Sequence, residues 1–251
     1  MTLAILSALP EEQHGLAHAL ENSQHIDRAG RRFVQGVLQG VPVVLALTGI
    51  GKVAAAATTA TLIEHFGVQQ LIFTGVAGGI GPHVRVGDVV VAQQFLQHDM
   101  DVRPLFPRWQ VPGYASPTFH CDTRLQDCLY AAAVHCTQSA AQWGEPLLSQ
   151  HAPAVHTGLI ASGDQFIVSA ATSNAIFQDL AASGHHALAV EMEGAAIAQV
   201  CADYGVPFAA VRTISDRADD AAHVDFPAFV DAVASRYAQL IIRHCIASLQ
   251  A

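Results

Sequence analysis

The fold turns on one stretch: Val190-Glu191-Met192-Glu193-Gly194-Ala195-Ala196, then the apolar run Val206 to Val211, then Arg212-Thr213-Ile214-Ser215-Asp216-Arg217-Ala218-Asp219. Ala195, Ala196, Ile197, Ala198 and Val200 read as an apolar helix entered through two carboxylates around a methionine. The run from Val206 reads as a strand that leaves the interior through polar residues. Ligand sites in α/β sheets gather at the carboxyl ends of strands. Acids at the start of a helix and at the end of a strand can therefore face one cleft.

Working outward, strands and helices alternate. Thr2–Ala8 is a short buried-type strand, and Pro10-Glu11-Glu12 opens a helix with proline and acids in its first turn. Phe33–Leu38 and Val41–Leu47 predict a hairpin, and Thr48-Gly49-Ile50-Gly51-Lys52 predicts a turn into a helix over 52–66. Leu71–Thr74 predicts a strand running into Gly75-Val76-Ala77-Gly78-Gly79-Ile80-Gly81. Val86–Phe95 follows as a strand, and His98–His120, with Pro104, Pro107, Pro112 and Pro117, as an extended loop or flap. Helices are expected at 122–138, 172–182, 192–204 and 226–249, with strands at 155–161 and 206–214. This is one α/β domain over residues 1–251, with a mixed, largely parallel central sheet flanked by helices.

Composition narrows the function. The chain of 251 residues is 51% apolar and carries a formal charge of −9 without a lysine or arginine cluster, which argues against a nucleic-acid partner. Arg28, Arg31 and Arg32 read as a solvated turn. No apolar run approaches the roughly twenty residues of a membrane span, and no signal-peptide pattern opens the chain, so a soluble cytoplasmic protein is expected. The five cysteines read as thiols in a reducing compartment, Cys121, Cys128 and Cys136 along one helix face. The fourteen histidines read as scattered core or surface residues, not metal ligands.

Taken singly, each motif has two readings. The glycines at 75, 78, 79 and 81 suit either a close approach of backbone to ligand or a tight strand-to-helix turn. Glu191 and Glu193 suit a sugar diol, since a carboxylate accepts from two neighbouring hydroxyls, with Met192 as an adaptable apolar floor; they also suit a helix N-terminus decorated with acids. Asp216 after Ser215 suits a general acid or a surface cap, and Arg212 suits charge balance. Glu12 suits a catalytic base or an ordinary first-turn acid.

In order along the chain, Ala8–Glu12, Gly49–Lys52, Thr74–Gly79, Ser162-Gly163-Asp164-Gln165-Phe166, Val190–Glu193 and Ile214–Asp216 resemble the 5′-methylthioadenosine/S-adenosylhomocysteine nucleosidases of the nucleoside phosphorylase superfamily, over nearly the whole chain. The resemblance implies a three-layer nucleoside-phosphorylase-like fold. It implies hydrolysis of the N-glycosidic bond of a 5′-modified adenine nucleoside, with no metal and no cofactor. By position, Asp216 protonates adenine N7 with Ser215 orienting it, and Glu12 activates water with help from Arg212. Glu193 holds the ribose diol, with Glu191 beside it and Met192 beneath the sugar. Phe166 and Ile167 frame adenine, while Val76, Ala77 and Gly78 line the site. Ile50 and Phe226 form the 5′ pocket, and Val102, within the loop over 100–114, is lent by the partner of a homodimer.

The chemistry agrees with this assignment. Glycosidic cleavage passes through an oxocarbenium-like state, which needs a protonated leaving group and an anion near the sugar. An aspartic acid supplies the proton near neutrality only where burial or neighbouring acids lift it above its ordinary pKa of about 3.9. A carboxylic acid both donates to N7 and accepts from a 6-amino group, which favours adenine. Two departures from the family pattern stand out: Val76 replaces an expected hydroxyl beside the nucleophile, and the segment Met100–Tyr114 is atypical. Purine nucleoside phosphorylase, futalosine hydrolase and non-catalytic nucleoside binding stand as the alternatives.

Overall fold

The structure, a computed structural model, describes residues 1–140 and 152–250. β1 (Leu3–Ser7) is buried along its whole length because it lies between two parallel neighbours, β4 (Val41–Leu47) and β5 (Gln70–Gly79). Strands covered on both faces read as continuous apolar runs, and LAILS is one. From β4 the sheet continues antiparallel through β3 (Arg31–Leu38) to β2 (Glu21–Arg28) at its edge.

On the other side the sheet closes on itself. β5 pairs in parallel with β10 (Phe208–Asp216), and β10 runs antiparallel to β6 (Val89–Gln97). β6 is parallel to β8 (Val155–Ser162) and β8 to β9 (Ala187–Glu191). β9 then returns antiparallel onto β5 through Gly78↔Val190 and Gly79↔Ala189 alone. The carboxyl ends of β5 and β9 therefore meet head to head, which brings the Glu191–Glu193 turn to the end of β5. β7 (Thr118–His120) adds to β6.

Two groups of helices flank this mixed sheet. α1 (Pro10–His18) and α3 (Thr123–Ala140) pack on α7 (Ser235–Leu249), and α2 (Lys52–Phe66) packs on α5 (Gly194–Tyr204). α4 (Ala170–Ala182) lies against β9, and α6 (Ala222–Phe229) against β10.

Several sequence expectations need correction. The glycine run is not a turn: β5 extends through Gly79, and Gly75 and Gly78 lie within the strand. β2 carries no strand signal in the sequence because ENSQHIDR is polar and exposed nearly throughout, so no alternation marks it. Arg28 and Arg31 face each other across its hairpin, whose turn falls at Ala29-Gly30. Glu191 ends a strand instead of opening a helix, and α5 starts at Gly194. The C-terminal helix is divided, α6 passing through a π turn at Val230–Ala234 into α7. Pro227 inside α6 has no N–H to donate, which disturbs the regular ladder just before the π turn.

All five cysteines are free, with Cys128 half-buried and the others buried. Cys121 precedes α3, so the three thiols do not share one helix. Nor are the histidines all scattered. His14 and His18 stand one turn apart on α1 with their Nε2 atoms 3.2 Å apart, yet among the described residues no group of three or more His, Cys, Asp or Glu is placed to hold a metal ion. Among those residues no helix is long and apolar enough to cross a membrane.

Candidate active site

The ends of β1, β5, β8, β9 and β10 surround one cavity of about 290 Å³. Glu12 projects into it from the first turn of α1, almost sealed from water. One carboxylate oxygen accepts from the N–H groups of Ala8 (2.8 Å) and Leu9 (2.9 Å), the other from Val76 N–H (3.0 Å). Burial raises the Glu12 pKa, opposed by the Arg212 charge and by these three N–H groups. A base drawn toward neutrality and fixed by backbone donors suits proton abstraction.

Gly75 explains how these groups fit. A Cβ there would collide with Arg212 Nη1 and Glu12 Oε1, so glycine lets a guanidinium and a carboxylate lie across the strand. Gly78 does the same for Asp216, whose Oδ1 would sit 3.0 Å from an added Cβ.

Behind the cavity Arg212 is 1% exposed, its guanidinium 3.5 Å from the centre of the Phe73 ring. Its Nη2 donates to Glu191 Oε2 (2.5 Å) and lies 3.8 Å from Glu193 Oε2. Glu191 is nearly saturated: besides Arg212 it accepts from the Ser162 hydroxyl and from the N–H groups of Glu193 (3.2 Å) and Gly194 (2.9 Å). It caps α5 and neutralises Arg212. Glu193 is differently placed. Its Oε1 accepts from Gly51 N–H (2.8 Å), and its carboxyl faces the cavity. Burial, and then the charge of Glu191, raise the Glu193 pKa, against Arg212 and the Gly51 N–H.

The pairing of β10 with β5 slips between Ile214 and Asp216, a bulge of the kind that re-aims side chains next to active sites. Here it aims two neighbours into the cavity. Ser215 Oγ lies 2.8 Å from Asp216 Oδ2, and Asp216 Oδ1 accepts from Ala218 N–H (2.8 Å).

Glu12, Ile50, Val76, Ala77, Gly78, Phe166, Ile167, Glu191, Met192, Glu193, Ser215, Asp216 and Phe226 all line this cavity. Arg212 does not; it acts from behind the wall. Val102 does not either: it lies on the segment between β6 and β7, away from its own chain's cavity. At the mouth Ile50 and Phe166 are exposed, and Phe226 meets Phe166 edge-on with centroids 5.3 Å apart. Ala8, Leu9, Gln165, Val190 and Ala218 also line the cavity; the sequence places them within the motifs but assigns them no role. Four of them are small or apolar wall residues, which nothing in a single sequence distinguishes from core, and Gln165 is an uncharged polar one. Val76 supplies a backbone donor to Glu12 where a hydroxyl was expected.

The phosphorylase superfamily profile matches residues 2–247. A 5′-methylthioadenosine/S-adenosylhomocysteine nucleosidase from Neisseria meningitidis, solved with methylthio-immucillin-A, is 33% identical, with 98% of this chain and 99% of that one covered and a TM-score of 0.86. The Streptococcus pneumoniae MTA/SAH nucleosidase, solved with 8-aminoadenine, is 32% identical over 98% and 99% of the two chains, TM-score 0.85. Futalosine hydrolase of Helicobacter pylori is 30% identical over 99% and 98%, TM-score 0.81. With two buried acids, Glu12 and Asp216, on one cavity and relatives of this kind along its full length, the chain belongs to the phosphorylase superfamily, among its nucleosidases.

Proposed function

We propose that the protein hydrolyses the N-glycosidic bond of 5′-modified adenine nucleosides, among them 5′-methylthioadenosine, S-adenosylhomocysteine and 5′-deoxyadenosine, giving adenine and the free 5-substituted ribose. The observation that carries this reading is the convergence of Asp216 and Glu12, both buried, on one cavity whose wall also bears Glu193. Asp216 donates a proton to adenine N7 and accepts from the 6-amino group, with Ser215 fixing its second oxygen. Bond breaking leaves positive charge on the sugar, and the Glu193 carboxylate grips the 2′,3′-diol beside it. Glu12, held by three N–H groups, takes a proton from water as that water captures C1′. Arg212 stabilises the acids from behind the wall.

Water is favoured over phosphate because among the described residues the cavity lining carries no lysine or arginine, and Val76 offers no hydroxyl to an anion. On the 5′ side the apolar mouth of Leu9, Ile50 and Phe226 suits a thioether or alkyl substituent, with Phe166, which frames adenine, packed against Phe226 at its border. The likeness to a futalosine hydrolase supports a second reading, in which the same cavity accepts a larger 5′ group.

The same proposal extends to assembly. Leu105 is 81% exposed at the tip of the 100–114 loop, which Arg108 ties to Asp179 (2.9 Å), and Ile50 and Val53 are exposed beside the cavity mouth. A homodimer that lends this loop to its partner's 5′ pocket would cover both, and light scattering at micromolar concentration tests it.

The decisive experiment measures base release from a panel of 5′-substituted adenosines and futalosine, with and without phosphate. The expected result is adenine release that does not require phosphate. Strict phosphate dependence with formation of ribose 1-phosphate overturns hydrolysis. Preferential cleavage of futalosine moves the assignment to the second reading. Adenine nucleosides that raise the melting temperature but are never cleaved leave only a binding protein.

A further inference from the structure

α2 begins without a capping side chain of its own and without an acid in its first turn. Its first N–H groups are orphans by construction, and two carboxylates distant in sequence take them. Gly51 N–H donates to Glu193 (2.8 Å), and the next amide, Lys52 N–H, donates to Asp164 Oδ1 (2.8 Å). Two successive peptide units are thus held, the first by a wall group of the cavity and the second by an aspartate outside it.

Asp164 is itself tied down. Its N–H donates to Asp99 Oδ2 (2.9 Å), and Asp99 Oδ1 accepts from Lys52 Nζ (2.5 Å), which also reaches Gln97 Oε1 (3.1 Å). Lys52, Asp99 and Asp164 therefore close a ring of hydrogen bonds. The sheet cannot supply that tie. β9, β5 and β1 lie between β4 and β8 in the strand order, so no ladder links the loops that follow β4 and β8. Those loops are the two lips of the cavity, Ile50 on one and Gln165 to Ile167 on the other. Gly51 has φ +94°, which strains any larger residue, and a Cβ there would crowd Asp164 Oδ1 at 3.1 Å. Burial works against ionised Asp99, yet the hydrogen bonds from Lys52 and Asp164 N–H outweigh it and hold its pKa below the ordinary value.

Resting on the nucleosidase reading above, we propose that Lys52, Asp99 and Asp164 are positioning residues for the ribose-binding glutamate. They clamp the two lips together and hold the Gly51 N–H on Glu193, so that its other oxygen is aimed at the sugar diol.

The test uses the wild-type chain and Asp99→Ala, Asp99→Asn and Lys52→Met, none of which removes a cavity-lining group. Each is assayed on 5′-methylthioadenosine and its 3′-deoxy counterpart, and by calorimetry with the corresponding uncleavable C-nucleosides. Asp99→Ala and Lys52→Met are expected to lower kcat/KM on the parent nucleoside by about tenfold or more, the size of a misplaced hydrogen bond to a charged group. The advantage of the parent over the 3′-deoxy substrate is expected to shrink by at least about threefold, since coupled groups are not additive. Asp99→Asn, which keeps an acceptor, recovers part of both. Equal losses on the two substrates, or no loss, overturn the clamp. If the wild type binds the C-nucleosides but releases no adenine, the hydrolytic reading fails, and the same ratio read from the binding constants still decides the clamp. No binding of either C-nucleoside overturns both.

Discussion

At the floor of the cavity Glu12, Glu191 and Asp216 are each 8% exposed or less and each is held by two or more hydrogen bonds, with Arg212, 1% exposed, behind them on Glu191; at the mouth Ile50 and Phe166 stand 63% and 46% exposed. The three floor acids are over-determined. Removing one partner there leaves a buried charge or donor exposed to a low-dielectric surrounding, which is costly. The mouth is apolar and partly wet, so a change there alters what is touched without stranding a charge. Chemistry belongs to the first region and choice of 5′ group to the second, and mutations ought to separate the two.

The largest separation is expected at the proton donor. Asp216→Asn keeps the shape and the contact with Ser215 but cannot donate an acidic proton, and Glu12→Gln cannot accept one. Positioned acids and bases contribute on the order of 10²–10⁴-fold, so each variant is expected to lose activity on that scale with KM little changed. Steady-state adenine release reads this, and full activity in either variant removes that residue from its role.

Next comes the buried pair that carries the floor. Arg212→Met leaves Glu191 without its counter-charge, and breaking one side of a buried ion pair costs about 3–5 kcal/mol. For a domain of this size that corresponds to a fall in Tm on the order of 10 °C. Differential scanning calorimetry measures it; a shift of a degree or less would mean that water or a proton compensates Glu191.

That pair also shows what the sequence could and could not say. Val190–Glu193 presents two acids around a methionine, and the structure divides them between a helix cap and a cavity wall. Glu191 caps α5 and meets Arg212, while Glu193 turns to the cavity and Gly51. Sequence gives the pair but not the division, because the division depends on β9, a five-residue strand that pairs with β5 through only two residues. Gly75 and Gly78 were legible as places of close approach, but their setting inside a strand was not, since what approaches them are side chains from α1 and β10. β1 and the first half of β10, Phe208–Val211, are legible in kind because burial on both faces writes a continuous apolar run. β2 was invisible for the opposite reason, and the two halves of the C-terminal helix share one apolar periodicity that conceals the π turn between them.

A smaller effect follows Glu193 by pH. The folded protein holds a proton on Glu193 more tightly than the unfolded chain does, because burial and Glu191 raise its pKa. Its contribution to stability is therefore complete below the ordinary carboxylate pKa and is lost as pH rises through the raised value. Glu193→Gln cannot ionise and should gain on the wild type as pH goes from 5 to 9. Thermal melts across that range give the gap directly, and a gap independent of pH would show that Glu193 has the same pKa in both states.

The smallest effect belongs to the mouth. Phe166→Ala removes an edge-on contact with Phe226, a type of pair worth about 0.5–1.5 kcal/mol beyond its buried area. Nearly half of the ring is already in water, so Tm should move by only a few degrees. What changes is the wall offered to the base and the 5′ substituent. We expect KM to rise a few-fold, with kcat nearly constant and the ranking of 5′ groups altered, because the ring contacts ground state and transition state alike. A large fall in kcat with unchanged KM would place Phe166 with the floor, and the division between chemistry and selection would have to be drawn elsewhere.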